Sequence, residues 1–284
     1  MKKSFIKLLL FSIINSQIFI AENLKALIPH YYFPETKNLK KDGLLIGKQA
    51  YQLLYFGQIE DSLNLAKLAI SFDNKNATLW TILAETQIAN KLYEDALISL
   101  TRAEKINPKI GEIYFIKSTI YMKQSKIKKA KISLQTGINI LPQNTGAIFQ
   151  LGNIFLMEKN YDKAIKEFDK ALKIKRNFWQ AINNKGLAYF ELDKINLSIT
   201  YFKEAIAVEE NAEPLLALAS CLSTQNISEA IFFAKKALNK EPNYVDYNYR
   251  KEQLWGEKLQ NSTEKLFKNN QLKKEISFAK TKIK

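Results

Sequence analysis

The 284-residue chain has one cysteine, Cys221, and one histidine, His30. The first excludes an internal disulfide, and the second leaves no histidine or cysteine partner for a metal site, so His30 reads as a loop residue and Cys221 as a small packing residue in mid-helix. Glycine and proline are scarce, at nine and six, and nothing alternates polar and apolar over a useful length, so strands are not expected. A glycine-rich phosphate loop, a paired metal-ligand motif and a nucleophile beside a histidine base are all missing. No catalytic residue, cofactor or metal is therefore expected, and carboxylates such as Glu158, Asp162, Glu167 and Asp169 read as solvated or intrahelically paired.

What is present is 46% apolar residues and a formal charge of +15, with a pI near 9.5. That charge suits an acidic partner such as nucleic acid, anionic lipid or an acidic protein face. It equally suits lysine-coated, solvated helix faces in a chain rich in Lys, Ile and Asn.

Residues 145–178 read as two amphipathic helices joined by a polar turn, with small residues at Gly152, Ala164 and Ala171. Steps of 34 residues from Gly152 reach Ala50, Ala84, Ser118 and Gly186. From Ala164 they reach Ser62, Ala96, Ala130 and Ser198, and from Ala171 they reach Ala69, Ala103, Gly137 and Ala205. A sixth copy fits once two residues are deleted between its helices, which aligns Ser220, Ala230, Ala234, Ala237 and Pro242. All eighteen sites at the three positions are Gly, Ala or Ser, as close helix–helix approach requires.

These residues resemble the tetratricopeptide repeat, whose unit of about 34 residues carries an aromatic, Leu-Gly, Tyr, Ala, Phe, Ala, Pro signature. The second copy reads Trp80, Leu83, Ala84, Ala96, Leu100, Ala103, Pro108, and the fourth Ile148, Leu151, Gly152, Phe155, Ala164, Phe168, Ala171. Pro108, Pro142 and Pro242 stand where second helices should stop. Asn74, Arg176 and Glu210 replace proline in the other copies, whose ends are expected to be less sharply terminated. The resemblance covers residues 43–244 and implies an all-α, right-handed superhelical solenoid of about six helix pairs, starting near 43, 77, 111, 145, 179 and 213.

The resemblance also implies that each first helix lines the concave face, placing Tyr51, Phe115, Thr119, Phe149, Asn153, Asn183, Asn184 and Phe190 there. The expected peptide-binding groove is Phe115, Phe149, Asn153, Asn183, Asn184 and Phe190. Amides engage a peptide backbone without demanding a sequence, and aromatics supply apolar anchors. The alternative is that the asparagines bond helix to helix and the aromatics belong to the core. Relatives that hold a C-terminal carboxylate flank two asparagines with Lys and Arg. Asn153 and Asn184 match that pair, but Phe149, Pro214 and Leu218 occupy the cationic places, which disfavours a carboxylate terminus.

Residues 1–21 have a basic start and an apolar run over 8–14 of only seven residues, against about 20 for a bilayer span. They read as a signal peptide, with an N-terminal membrane anchor and an ordinary amphipathic helix as alternatives. Residues 22–42, with two prolines and a Lys-rich end, read as a linker. Residues 245–284 read as basic capping helices and tail, interrupted near Gly256, with Asn261 and Glu264 as a helix-starting box. The flanks ALIPHYYFP and NYVDYNYRKEQLWG are similar to small cyanobacterial repeat proteins, implying a chain that faces periplasm or thylakoid and helps assemble a membrane complex. The function expected is a non-enzymatic scaffold with a protein or peptide partner. A basic repeat that tracks nucleic acid and an oligomeric structural scaffold are the alternatives.

Overall fold

A computed structural model describes residues 36–283, with side chains from residue 38. The proposed signal or anchor at 1–21, His30 and most of the proposed linker lie outside the described residues. Within them the chain is helical, without strands. Six pairs follow in order: α1 (Thr36–Tyr55) with α2 (Ile59–Phe72), α3 (Ala77–Ala89) with α4 (Tyr93–Ile106), α5 (Gly111–Lys123) with α6 (Ile127–Ile140), α7 (Thr145–Met157) with α8 (Tyr161–Ile174), α9 (Trp179–Glu191) with α10 (Ile195–Val208), and α11 (Ala212–Leu222) with α12 (Ile227–Lys240). A short 3-10 turn leads to α13 (Tyr247–Glu252), α14 (Glu257–Phe267) and α15 (Lys273–Lys282). Among the described residues α1 takes in residues 36–42, which are therefore helical rather than linker. No proline follows Pro34 there, and Gly43 packs directly on Phe72 and Ala69 of α2, which extends the first pair toward its N-terminus.

The small residues explain the pairing. A Cβ on Gly152 would come within 2.5 Å of Phe168, and one on Gly186 within 2.6 Å of Phe202. Both phenylalanines are fully buried. Where the glycine is replaced by Ala84 or Ser118, the facing residue shrinks to Leu100 or Leu134, so volume across the pair is conserved,. Ser62 and Ser198, standing where other copies have alanine, donate to the carbonyls of Ala50 and Gly186 at 2.7 and 2.8 Å, satisfying their buried hydroxyls.

Turn chemistry repeats with the same period. Gly57, Lys91, Ser125, Lys159 and Asp193 all have left-handed backbone, with φ of 76°, 62°, 57°, 56° and 60°. Each closes its first helix with a Schellman pair of hydrogen bonds, as in Leu92 N–H to Gln87 C=O at 2.8 Å and Lys91 N–H to Ile88 C=O at 2.9 Å,. The sixth pair has a shortened α11 and no such residue, which is where its two-residue deletion falls. Second helices end at Phe72, Ile106, Ile140, Ile174 and Val208, in one register whether or not proline follows. The expected fraying of copies without proline does not occur. Each of these ends is closed by an N–H bonded to the carbonyl of the small residue Ala69, Ala103, Gly137, Ala171 or Ala205, so packing sets the stop.

First helices of successive pairs approach one another, α1 with α3, α3 with α5, α7 with α9 and α9 with α11, whereas second helices make no comparable approach. The stack therefore curves with first helices inside. None of the described helices is long and apolar enough to cross a membrane.

Candidate functional site

The concave face divides into two unlike halves. Over the last two pairs it is covered by the chain itself. Helix α14 packs on α9 and α11, and the turn before it is aimed by a further left-handed residue, Leu254, at φ 66°. Leu254 packs against the buried cluster of Leu156, Phe168 and Ala188, and Trp255 enters the last core beside Tyr244.

Two carboxylates hold this segment. Glu191, at the end of α9, accepts the N–H groups of Lys258 at 3.3 Å and Leu259 at 3.0 Å, capping α14 from another helix where charge and orphan donors favour it,. Gly256 makes this approach achievable, since a Cβ there would overlap the Glu191 side chain. The helix thus starts at Glu257, not at the Asn261–Glu264 box, which lies inside it. Lys258 adds bonds to the Glu191 carbonyl at 2.8 Å and to Asp193 at 2.5 Å. Glu213 accepts the Trp255 indole N–H at 3.1 Å. Burial pushes its pKa up to about 7, against hydrogen bonds from Trp255, Asn183 and Tyr244 that favour the ionised form,. Arg250, fully buried, bonds Gln260, the Tyr244 carbonyl and Glu264 and ties α13 to α14.

The asparagines lie at this boundary. Asn184 Nδ2 donates to Asn153 Oδ1 at 2.8 Å across the seam between α7 and α9, and Asn183 Nδ2 donates to Asn184 Oδ1 at 3.1 Å. Asn183 has no exposed surface and Asn184 is 7% exposed. Asn183 Oδ1 lacks a hydrogen-bond partner among the described residues. Of the six expected groove residues, these two are therefore engaged inside the array, and Phe190 is buried in the last core cluster. Phe149 packs between Phe168 and Phe178, with centroids 5.7 and 4.8 Å away. Phe115 fills the space left by Gly137. Both are half-buried. Of the three asparagines, Asn153 alone is half-buried rather than buried.

That open half, over α1, α3 and α5, contains two adjoining clefts of about 310 and 420 Å³. The smaller is lined by Leu54, Ile88, Ile116 and Thr119, the larger by Lys48, Ile82 and Glu112, and both share Tyr51 and Glu85. Tyr51 is 52% exposed and Tyr55 83%. Burial first and Glu112 second push the Glu85 carboxyl up to about 7. Glu85 was not among the expected residues, although two 34-residue steps back from Asn153, through Thr119, land on it.

Stacked pairs with a continuous inner face of first helices define a helical-repeat solenoid. Models of the tetratricopeptide repeat match residues 146–178 and 180–211, the fourth and fifth pairs. The fourth and fifth pairs are thus tetratricopeptide repeats, and the same helix pair recurs at the same spacing on both sides of them. Human protein O-mannosyl-transferase TMTC3 is 29% identical over 130 residues, which is 44% of this chain and 14% of that protein. The chain spans about a third or less of the curated relatives it matches. Among solved structures, PilF of Pseudomonas aeruginosa is 15% identical, with a TM-score of 0.65 over 77% of this chain and 98% of that one. YrrB, described as a TPR protein with an unusual peptide-binding site, is 20% identical, with a TM-score of 0.51 over 60% of this chain and 88% of that one. Both likenesses concern the fold.

Proposed function

We propose that this chain is a non-enzymatic scaffold that holds a peptide segment of a partner protein on the open part of its concave face, from Tyr51 to Asn153. The supporting observation is the asymmetry of that face. Repeats five and six are covered by the chain's own segment 254–267, while repeats one to three keep an apolar, aromatic-lined cleft open to solvent. Apolar clefts with a few polar groups are the usual form of peptide grooves. YrrB, related by fold, has a peptide-binding site, and the proposal assigns this chain the same kind of use. The leader at 1–21 is proposed to export or anchor the protein, bringing the groove to a membrane complex under assembly. Nucleic acid is disfavoured, because among the described residues Lys48 is the single cation lining either cleft,.

A photo-crosslinking residue placed at Thr119 on the concave face, and in a second protein at Ile132 on the opposite, 67% exposed surface, tests this in the native cell. A protein adduct from position 119 that survives high salt and is absent from position 132 is expected. Adducts only from 132, or to nucleic acid, would overturn the reading. Mass spectrometry of the mature N-terminus with fractionation tests the leader.

A further inference from the structure

We propose that the cleft between α1, α3 and α5 selects a basic-apolar peptide: a segment of a partner protein that lays aliphatic or aromatic side chains against Tyr51, Ile88 and Ile116 and sets one lysine or arginine on Glu85 and Glu112. This rests on the concave-face reading above and names the chemistry of its ligand.

Charge carries the argument. The chain has 43 basic and 28 acidic residues, yet this cleft reverses the sign, with two carboxylates against Lys48. Several carboxylates elsewhere on the repeats have lysine partners, such as Glu104 with Lys117, Glu158 with Lys131, Asp169 with Lys185, and Glu210 with Lys236. Others without one, such as Glu60, Asp95 and Glu209, stand exposed to solvent, whereas Glu85 sits half-buried against the apolar cleft wall. Among the described residues Glu85 and Glu112 form no ion pair, although lysines are in excess. Leaving a carboxylate against apolar walls without a cation is unfavourable in the free chain. A ligand's ammonium or guanidinium removes that penalty on binding, and the penalty falls again on any acidic segment that enters. The aromatic rims suit the same ligand, since Tyr51 and Tyr55 cover the aliphatic stem of a long cationic side chain and stack on its head. The groups facing Glu85 are Lys48, Tyr51 and Tyr55 from α1 and Glu112 from α5. Because the ionised form is the one a cation binds, and Glu85 titrates near pH 7, affinity for such a peptide rises with pH.

Selection of displayed random 12-residue peptides on the full chain at pH 8, followed by fluorescence anisotropy of the selected sequences, tests the proposal. Lysine or arginine is expected at one position beside apolar residues, with affinity rising about tenfold from pH 6 to pH 8. The E85Q, E112Q double variant is expected to lose tenfold or more on the basic peptide. It should bind a Lys→Met analogue as the parent does, which shows that the groove itself is intact. Peptides without basic preference, or a double variant that binds the basic peptide unchanged, overturn this inference and leave the concave reading standing. Selected peptides indifferent to Ile116→Glu overturn both. A concentration-dependent dimer in sedimentation, dispersed by E85Q, makes the occupant a second copy and also overturns it.

Discussion

Replacing Glu213 with glutamine removes one titration while keeping an acceptor for the Trp255 indole. In the folded chain this carboxyl titrates near 7 rather than near 4.5, so between those values the native state holds a proton that the unfolded chain has released. Stability is then full below about pH 4.5, falls as pH rises through 7, and is flat above. Each tenfold difference in proton affinity between the folded and unfolded chain is worth about 1.4 kcal/mol, so the whole window amounts to about 3 kcal/mol, a large fraction of the stability of an ordinary domain. Urea unfolding followed by far-UV circular dichroism, at pH 4.5, 6, 7 and 8, measures this for both proteins. E213Q is expected to gain on the parent steadily from pH 4.5 to 7, reaching about 2–3 kcal/mol, with the gain constant beyond. The difference between the two proteins cancels the similar contribution of Glu85. A difference that does not change with pH would refute the reasoning, because it would mean that the carboxyl beneath Trp255 binds its proton no more tightly in the folded chain than in the unfolded one.

Three further outcomes follow from contacts described above. Gly152→Ala should lower stability by about 1–3 kcal/mol through overlap with Phe168, and adding Phe168→Leu should restore part of the loss, since Ala84 with Leu100 is that combination two repeats earlier; thermal unfolding of the cycle measures the coupling. Gly256→Ala should push Glu191 off the start of α14, and hydrogen exchange should then show loss of protection over residues 254–267 while α3 to α6 are unchanged. Arg250→Ala leaves Glu264, Gln260 and the Tyr244 carbonyl without their partner and should destabilise by about 3–5 kcal/mol, measured by urea unfolding at low and high salt, with most of the loss independent of salt.

The fold was readable because close helix packing forces small residues at a fixed period, and eighteen such positions survive in one register. Even the two-residue deletion in the sixth copy could be located from Ser220 and Ala230. The site was less readable for a physical reason. Which part of a concave face stays open depends on contacts between distant residues, here Glu191 with Gly256 and Glu213 with Trp255, and neither pair has a local pattern. Glu191 replaces the Asn261 box as the cap of α14 from more than sixty residues away. Asn153 and Asn184 were recognisable as a pair, but the amide hydrogen bond that joins them to each other has no sequence signature. Glu85 stood in the register and could have been found by the same walk.

The five left-handed turn residues have a consequence for how such a chain tolerates change. Only Gly57 adopts that backbone without strain; Lys91, Ser125, Lys159 and Asp193 carry side chains there, each at a cost of about 1 kcal/mol,. All four are exposed and lie at the rim of the stack rather than in either cleft. The repeats therefore hold a reserve of several kcal/mol that glycine substitutions at Lys91, Ser125 and Lys159 would release one repeat at a time. Stability can drift up or down at these rim positions over evolutionary time while the surface that meets a partner is left untouched.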